Sequence, residues 1–419
     1  MLAPFKPASN LIPAHLDASS WANLEPLYRE LVERELTCVK CLERLLLDRS
    51  ELDAAVSEAG SVAYINMTCH TDDPAANKAY LDFVEHVQPQ LKEVSFELDK
   101  KIVSSPFVKD LDDKRYHVLM RDLRVGVELF RTENIPIETE LTKLEQEYSQ
   151  ICGAMTVQFD GQEKTLPQMA KYQEETDRAK REAAWRAVAE RRYRDAERID
   201  AIYESLLELR QKVARNAGFE NYRDYVHKAK RRFDYTPEDC HAFAAGVEKH
   251  VVPALRKLNA QRKAALKVDT LRPWDLSVDA MGRAPLRPFT TPEDMVARTK
   301  RVFARMDPSL GEMFALLCAG IDGLNCLDLD SRKGKAPGGY QASRDRKRVP
   351  FIFMNAAGVQ RDVETMVHEA GHAFHSMLSR HDPLVAYRSE IPLEFAEVAS
   401  MSMELTCYPF MDEFYTQHD

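Results

Sequence analysis

The stretch Val367-His368-Glu369-Ala370-Gly371-His372 decides how this chain is read. On a helix, residues i and i+4 lie one turn apart on the same face, so both imidazoles can reach a single ion, with the Glu369 carboxylate beside the first ring. The flanking residues support a helix. Val363, Met366, Val367, Ala370, Phe374, Met377 and Leu378 recur at three- and four-residue steps as one apolar stripe, and the histidines share a neighbouring stripe with Glu364. A helix of this kind buries its apolar side and turns the histidines toward a polar cleft. Gly371 costs about 1 kcal/mol relative to Ala inside a helix, which argues that another backbone passes close by. Two surface histidines on an ordinary helix are the plain alternative.

A hydrolytic zinc site takes three ligands from the protein and leaves the last position for water. A longer motif, with Gly and then His at the third and sixth residues after His372, is not available, because His375 and Leu378 stand there. His375 lies seven residues from His368, roughly 10 Å along a helix axis, too far for one ion to hold both together with His372. It reads as a supporting or packing residue. The third ligand is expected on the next helix. Between Ile391 and Cys407 the chain is strongly apolar, yet Glu390, Glu394, Glu397 and Glu404 recur at intervals that place them on one stripe. Carboxylates on a buried helix need a cation or hydrogen bonds; a solvated acidic face is the bland reading.

The segment from Asp362 to Glu404, with His368-Glu-Ala-Gly-His372-Ala-Phe-His375 and then Phe395-Ala-Glu397-Val-Ala-Ser400, resembles the thimet oligopeptidase and oligoendopeptidase F family of zinc peptidases, family M3. The resemblance implies Glu397 as the third ligand of one zinc ion per chain, beside His368 and His372, and Glu404 as a further acidic position of the motif. It also implies a mostly helical, two-lobed clamshell of zincin type with a deep cleft, and cleavage of short peptides. Looser similarity to the oligoendopeptidase F branch lies in Pro273-Trp274-Asp275-Leu276 and in Met155 to Gly161. The resembling enzymes continue past this third-ligand helix with a segment carrying His and Tyr residues that bind substrate. A chain without it is expected to have weakened activity, since such donors are commonly worth roughly 10² to 10³ in rate.

The ligand set predicts the chemistry. A zinc ion on two neutral imidazoles and one carboxylate lowers the pKa of a bound water toward about 7 and polarises a carbonyl. Glu369, rotated about 100° from His368 around the helix, is placed to act as general base without coordinating. Just upstream, Val349-Pro350-Phe351-Ile352-Phe353-Met354 is short and β-prone, and Pro350 favours an edge strand able to pair with an extended peptide; an ordinary core strand is the competing reading. Ser331 to Arg348, with Gly334, Gly338, Gly339 and Tyr340 among many basic residues, reads as a mobile loop beside the cleft or a solvated basic turn. Gly338, Gly339, Tyr340, Phe353 and Asn355 are therefore candidate substrate-side residues.

The rest of the chain sets bounds. At 419 residues with net charge −9 and no basic domain, it is not built for nucleic acid. Met1 to Pro7 lacks a signal-like apolar core, no apolar run could span a membrane, and the eight scattered cysteines read as reduced, packed thiols of a cytoplasmic protein. Cys38 and Cys41 form a C-x-x-C within Tyr28 to Leu47, read as one helical pattern. Helical periodicity dominates, with breaks near Thr71 to Pro74, at Asp160-Gly161 and across Leu271 to Pro288. The expectation is a mainly α protein with a small β element beside the metal helix, an N-terminal helical lobe over 1–195 and a catalytic lobe over 196–419. Two other functions share these features. A zinc carboxypeptidase of similar helical build could use the same ligands, and a truncated chain could bind metal or peptide without turnover.

Overall fold

A computed structural model describes residues 7–416, so most of the N-terminal stretch Met1 to Pro7 lies outside the described residues. Six helices come first: α1 (Trp21–Glu33), α2 (Val39–Cys69), α3 (Pro74–His86), α4 (Gln88–Val103), α5 (Asp113–Leu129) and α6 (Asn134–Gly153). Their starts follow local chemistry. Asp73 caps α3 by accepting the Ala75 N–H, and Pro74 in the first turn needs no donor of its own, so the break at Thr71 to Pro74 falls where the sequence puts it. Tyr28 to Leu47 is not one helix, however. α1 stops at Glu33 and α2 begins at Val39, with Cys38 as its N-cap.

A hairpin of β1 (Thr156–Phe159) and β2 (Gln162–Thr165) follows, turning at Asp160-Gly161, both at positive φ. The helical run then resumes with α7 (Arg178–Tyr193), α8 (Ala196–Asn216), α9 (Tyr222–Ala229) and α10 (Pro237–Gly246), the last continuing through a π turn into α11 (Val252–Leu266). The proline-rich break beyond it is structured around Asp275. Its buried carboxylate accepts from Arg178 at 2.9 and 2.8 Å and from Arg181 at 3.1 Å, while Trp274 packs on Trp185.

The metal-motif half holds α12 (Pro292–Met306), α13 (Pro308–Ala319), the strands β3 (Leu327–Asp330), β4 (Tyr340–Arg344) and β5 (Val349–Ala356), then α14 (Gln360–Ser379) and α15 (Leu393–Thr406). Two main cores result. One joins Leu24, Leu42, Leu45, Leu98 and Ile102 of the N-terminal helices; the other joins Phe303, Phe314, Ile352, Met366, Ala370 and Phe374 around α14. The protein is mainly helical with a small sheet beside α14, as expected. No helix among the described residues is long and apolar enough to cross a membrane.

Three local expectations are corrected. β5 is the central strand of the order β3-β5-β4, not an edge. Pro350 is tolerated there because Ile352 sends its N–H toward Cys326 on the β3 side, and Pro350, two residues earlier on the same side, precedes the first β3 pairing at Leu327. The edge is β4, antiparallel to β5 from Tyr340 opposite Phe353 to Arg344 opposite Val349. Ser331 to Arg348 is accordingly not simply a loop or a solvated basic turn. It contributes β4, and Lys335 is buried with its ammonium on Asp328 at 2.8 Å and over the Phe353 ring at 4.4 Å. Finally, α15 is not a buried helix: Ser400 is buried, but Leu393, Phe395, Val398, Met401 and Leu405 are exposed, Phe395 by 72%. Leu378 is exposed as well, outside the buried stripe of α14.

Candidate metal and catalytic site

α14 is aimed by its first turn. The Asp362 carboxylate accepts the N–H groups of Ala357, Gly358 and Val359 at 2.7 to 2.9 Å, which ties the β5–α14 turn to the helix start. Val363, Met366, Val367, Ala370, Phe374 and Met377 are buried against the sheet and α12, with Phe374 edge-on to Phe303 at 4.8 Å. The histidines are left on the flank that faces α15.

Gly371 lets α15 approach. A methyl group there would sit 2.6 Å from the Ala399 carbonyl oxygen and 2.7 Å from the Ser400 Cα, so the close backbone inferred from the sequence is that of α15. This contact brings Glu397 over the histidines. Its Oε2 lies 3.3 Å from His368 Nε2 and 3.8 Å from His372 Nε2, and one ligand atom from each of the three residues lies within 4.8 Å of the others. Ser400 donates to Glu397 Oε2 at 2.8 Å and fixes the carboxylate. His368 Nδ1 stands 2.6 Å from Glu404 Oε1. Nε2 of the same ring is the atom turned to Glu397, so Glu404 can hold Nδ1 while Nε2 stays available to a cation shared with the Glu397 carboxylate. The donor set of two imidazole nitrogens and one carboxylate therefore fits zinc. Burial holds the His372 imidazole below its usual pKa, which keeps it neutral as a ligand must be, although Glu397 opposes this.

Glu369 is buried at 6% exposure, and its Oε2 has no hydrogen-bond partner. Burial pushes its carboxyl up to about 7, against the lowering effect of His368. Gly339 passes beside it; a methyl there would lie 3.6 Å from Glu369 Oε1 and 3.4 Å from the Phe353 carbonyl oxygen.

The other candidate residues divide. Asn355 donates from Nδ2 to the carbonyls of Ala336 and Gly338, both at 2.9 Å, and so shapes the backbone that carries Gly339. Gly338 adopts φ +91, which favours glycine. Tyr340 and Phe353 are stacked at 4.7 Å, Phe353 is fully buried, and the Tyr340 hydroxyl meets Thr68 of α2, so both side chains pack rather than face the ligand atoms. His375 lines a cavity of about 300 Å³ next to His372, with Gln341 and Ser343 of β4 and Ser57 and Ser61 of α2. Glu390 and Glu394 lie apart from the histidines and pair with Arg231 and Arg232. Sequence reading missed Ser400 and the two α2 serines. Ser400 has a local signal, three residues after Glu397 on a helix; Ser57 and Ser61 lie more than 300 positions before His372 in sequence and have none.

Paired histidines on one helix and an acidic helix pressed against them, in a mainly α frame with a short mixed sheet, define a helical zincin scaffold. The chain belongs to peptidase family M3: the Peptidase family M3 profile matches residues 171–419, and the Peptidase M3 N-terminal domain profile matches residues 16–130. Among curated relatives, the chromosomal oligoendopeptidase F of Lactococcus lactis subsp. cremoris is 26% identical over 234 residues, 55% of this chain and 36% of that protein. The solved structure of PZ peptidase A with inhibitor 2 superposes with a TM-score of 0.89 at 26% identity, covering 99% of this chain and 71% of that one. A structure from Bacillus anthracis str. Ames assigned to oligoendopeptidase F gives a TM-score of 0.90 at 24% identity, over 99% and 73% of the two chains, and shows the shared fold. The chain thus spans about a third of the length of the curated relatives it matches.

Proposed function

We propose that this chain carries the metal-binding and proton-transfer centre of a zinc-dependent endopeptidase for short peptides, with His368, His372 and Glu397 as ligands and Glu369 as general base. The observation that carries this reading is the convergence of His368, His372 and Glu397, whose Oε2 lies 3.3 Å from His368 Nε2 and 3.8 Å from His372 Nε2, while Glu404 takes the Nδ1 side of His368. When bound there, zinc supplies a Lewis acid that acidifies water and polarises a peptide carbonyl. The remaining tasks fall to side chains. Glu369 Oε2, buried and without a partner, takes the proton of the attacking water and returns it to the leaving amine. Glu404 fixes the His368 tautomer, and Ser400 fixes Glu397.

Substrate alignment falls to β4 rather than β5. Its outer edge is unpaired among the described strands, and Gln341 and Ser343 line the cavity that holds His372 and His375, so an extended peptide can add there as a further strand. Short peptides as substrates are supported by the names of the relatives, oligoendopeptidase and oligopeptidase. The eight free cysteines support a cytoplasmic setting, and the two cores support two lobes, which we divide near residue 195.

Metal analysis combined with mass-spectrometric cleavage mapping of a quenched peptide set tests the reading. One zinc per chain and internal cleavage are expected, with zinc lost from the His368→Ala, His372→Ala double variant. Full zinc content in that variant would overturn the ligand assignment, and release of single C-terminal residues alone would replace the endopeptidase by a carboxypeptidase.

A further inference from the structure

A second reactive centre lies at the start of α2, in the C-x-x-C that a continuous helix would have buried as packing. Cys38 is the N-cap, with extended backbone, and its Sγ accepts the Cys41 N–H at 3.3 Å. That bond folds the cap over the first turn and brings the two sulfurs to 2.9 Å. The Thr37 hydroxyl reaches Cys41 Sγ at 3.3 Å. Both cysteines are partly exposed, whereas Cys69, Cys326 and Cys407 are buried.

We propose that Cys38 and Cys41 are a redox-active dithiol, a thiol–disulfide exchange site that takes small-molecule disulfides as its oxidant. The first turn of a 31-residue helix offers unsatisfied N–H groups and the positive end of the helix dipole, both of which favour a thiolate. The Cys38 thiol and then the Thr37 hydroxyl hold the Cys41 thiol down to about 7, while burial pushes Cys69 and Cys407 up to about 12. Cys41 is therefore the attacking sulfur. Its thiolate displaces one thiolate from the oxidant and forms a mixed disulfide. Cys38, giving its proton to that leaving thiolate, then attacks Cys41 Sγ and expels the second half of the oxidant. One dithiol and one external disulfide become one internal disulfide and two thiols, and two electrons pass from the cysteines to the oxidant. The cap bond already holds the two sulfurs in contact for ring closure.

The test treats the folded full chain with oxidised glutathione, alkylates the remaining thiols and digests with trypsin. Cleavage after Arg34, Lys40 and Arg44 separates the two cysteines, so the disulfide appears as Glu35–Lys40 joined to Cys41–Arg44, two hydrogens lighter than the separate peptides, and dithiothreitol abolishes the joined species. Cys38→Ser retains a capping oxygen and the helix start, and its reaction should stop with glutathione on Cys41. Phenylarsine oxide, a probe for paired thiols, should bind the parent chain at one per chain and bind either single variant at least about tenfold more weakly, in line with the loss of bidentate attachment. Cys38 and Cys41 both recovered in alkylated form after oxidant treatment, or glutathione on exposed Cys240 with no joined peptides, would overturn the proposal. Neither result bears on the peptidase reading, since no residue of the metal cleft takes part.

Discussion

Glu369 and Glu404 flank the same histidine, yet their surroundings give them opposite tasks. Glu404 is part-exposed and bonded to His368 Nδ1, so in the proposed site it would act on a bound metal through the ring, whereas Glu369 is buried with one oxygen free. Glu369→Gln should keep stoichiometric zinc and lose peptide hydrolysis by roughly 10² to 10⁴, the range for removing a general base. Full activity with intact zinc in that variant removes Glu369 from the mechanism. Glu404→Gln should behave in the reverse order, weakening zinc affinity by roughly 10 to 100-fold, as loss of a ligand's orienting partner does; a competitive chelator titration measures it. The pairing of the two imidazoles with a carboxylate beside them was legible from six consecutive residues because a helix converts a spacing of four into one face. Glu397 and Glu404 were legible from spacing and resemblance together, since nothing in the spacing alone separates them from Glu390 and Glu394, which pair with Arg231 and Arg232.

The elements beside the site explain both what the sequence revealed and what it concealed. Gly371 announced a close backbone, and the helix that fills the gap is α15. Gly371→Ala places a methyl against the backbone of Ala399 and Ser400, where no side chain can swing aside. About 1 to 3 kcal/mol of stability should be lost, with a fall in zinc affinity as Glu397 is pushed off; thermal unfolding with and without zinc separates the two. The sheet order was not legible, because a strand buried on both faces and an edge strand can share the same short apolar composition, and Pro350 pointed to the wrong answer. Nor was the exposure of α15 legible, since apolar residues in a sequence do not say whether a partner covers them. The basic stretch Ser331 to Arg348, which holds Lys335, was misread for a related reason. A basic residue in a glycine-rich stretch looks solvated until Asp328 is seen beneath it. Burial alone would raise the Asp328 carboxyl, but hydrogen bonds from Arg332, Lys335 and Cys69 overcome it and hold the group well below the usual carboxylate range. A depressed carboxyl stabilises the fold at pH above its unfolded value of about 4 and loses that contribution as pH falls through the folded value. Asp328→Asn, which leaves the Lys335 ammonium without its carboxylate, should cost about 3 to 5 kcal/mol at pH 7. Urea unfolding should show the gap to the parent chain narrowing below about pH 4; a gap independent of pH would separate Asp328 from acid stability.

Across the whole molecule, α2 is one of the elements that join the N-terminal helices to the metal half, beside the Arg115–Asp382 pair. Along its length Glu51 meets Arg348 at 3.0 Å, Ser57 meets Asp345 at 2.6 Å and Thr68 meets the Tyr340 hydroxyl at 2.6 Å; beyond its end the Thr71 N–H reaches the Gly334 carbonyl at 2.6 Å. These ties hold β4, the proposed peptide-binding edge, against a helix that contributes Ser57 and Ser61 to the same cavity. The Glu51–Arg348 pair is the one among them with both partners charged and nearly inaccessible, at 5% and 3% side-chain exposure. Burial and then the neighbouring Arg388 push the Arg348 guanidinium down to about 10, and Glu51 opposes that shift. Glu51→Gln therefore removes the carboxylate that opposes the effect of Arg388 and Arg380 on Arg348. Removing one partner of a buried pair costs about 3 kcal/mol or more, and the loss should be local before it is global. Amide hydrogen exchange in Glu51→Gln should quicken over residues 340–348 and the middle of α2, while His368, His372 and Glu397 keep their zinc. Peptide KM should then rise more than kcat falls, because the wall that aligns substrate loosens while the reacting groups stay in place. Unchanged exchange over 340–348 with unchanged stability would mean that the two halves are joined elsewhere, and that β4 keeps its position without α2.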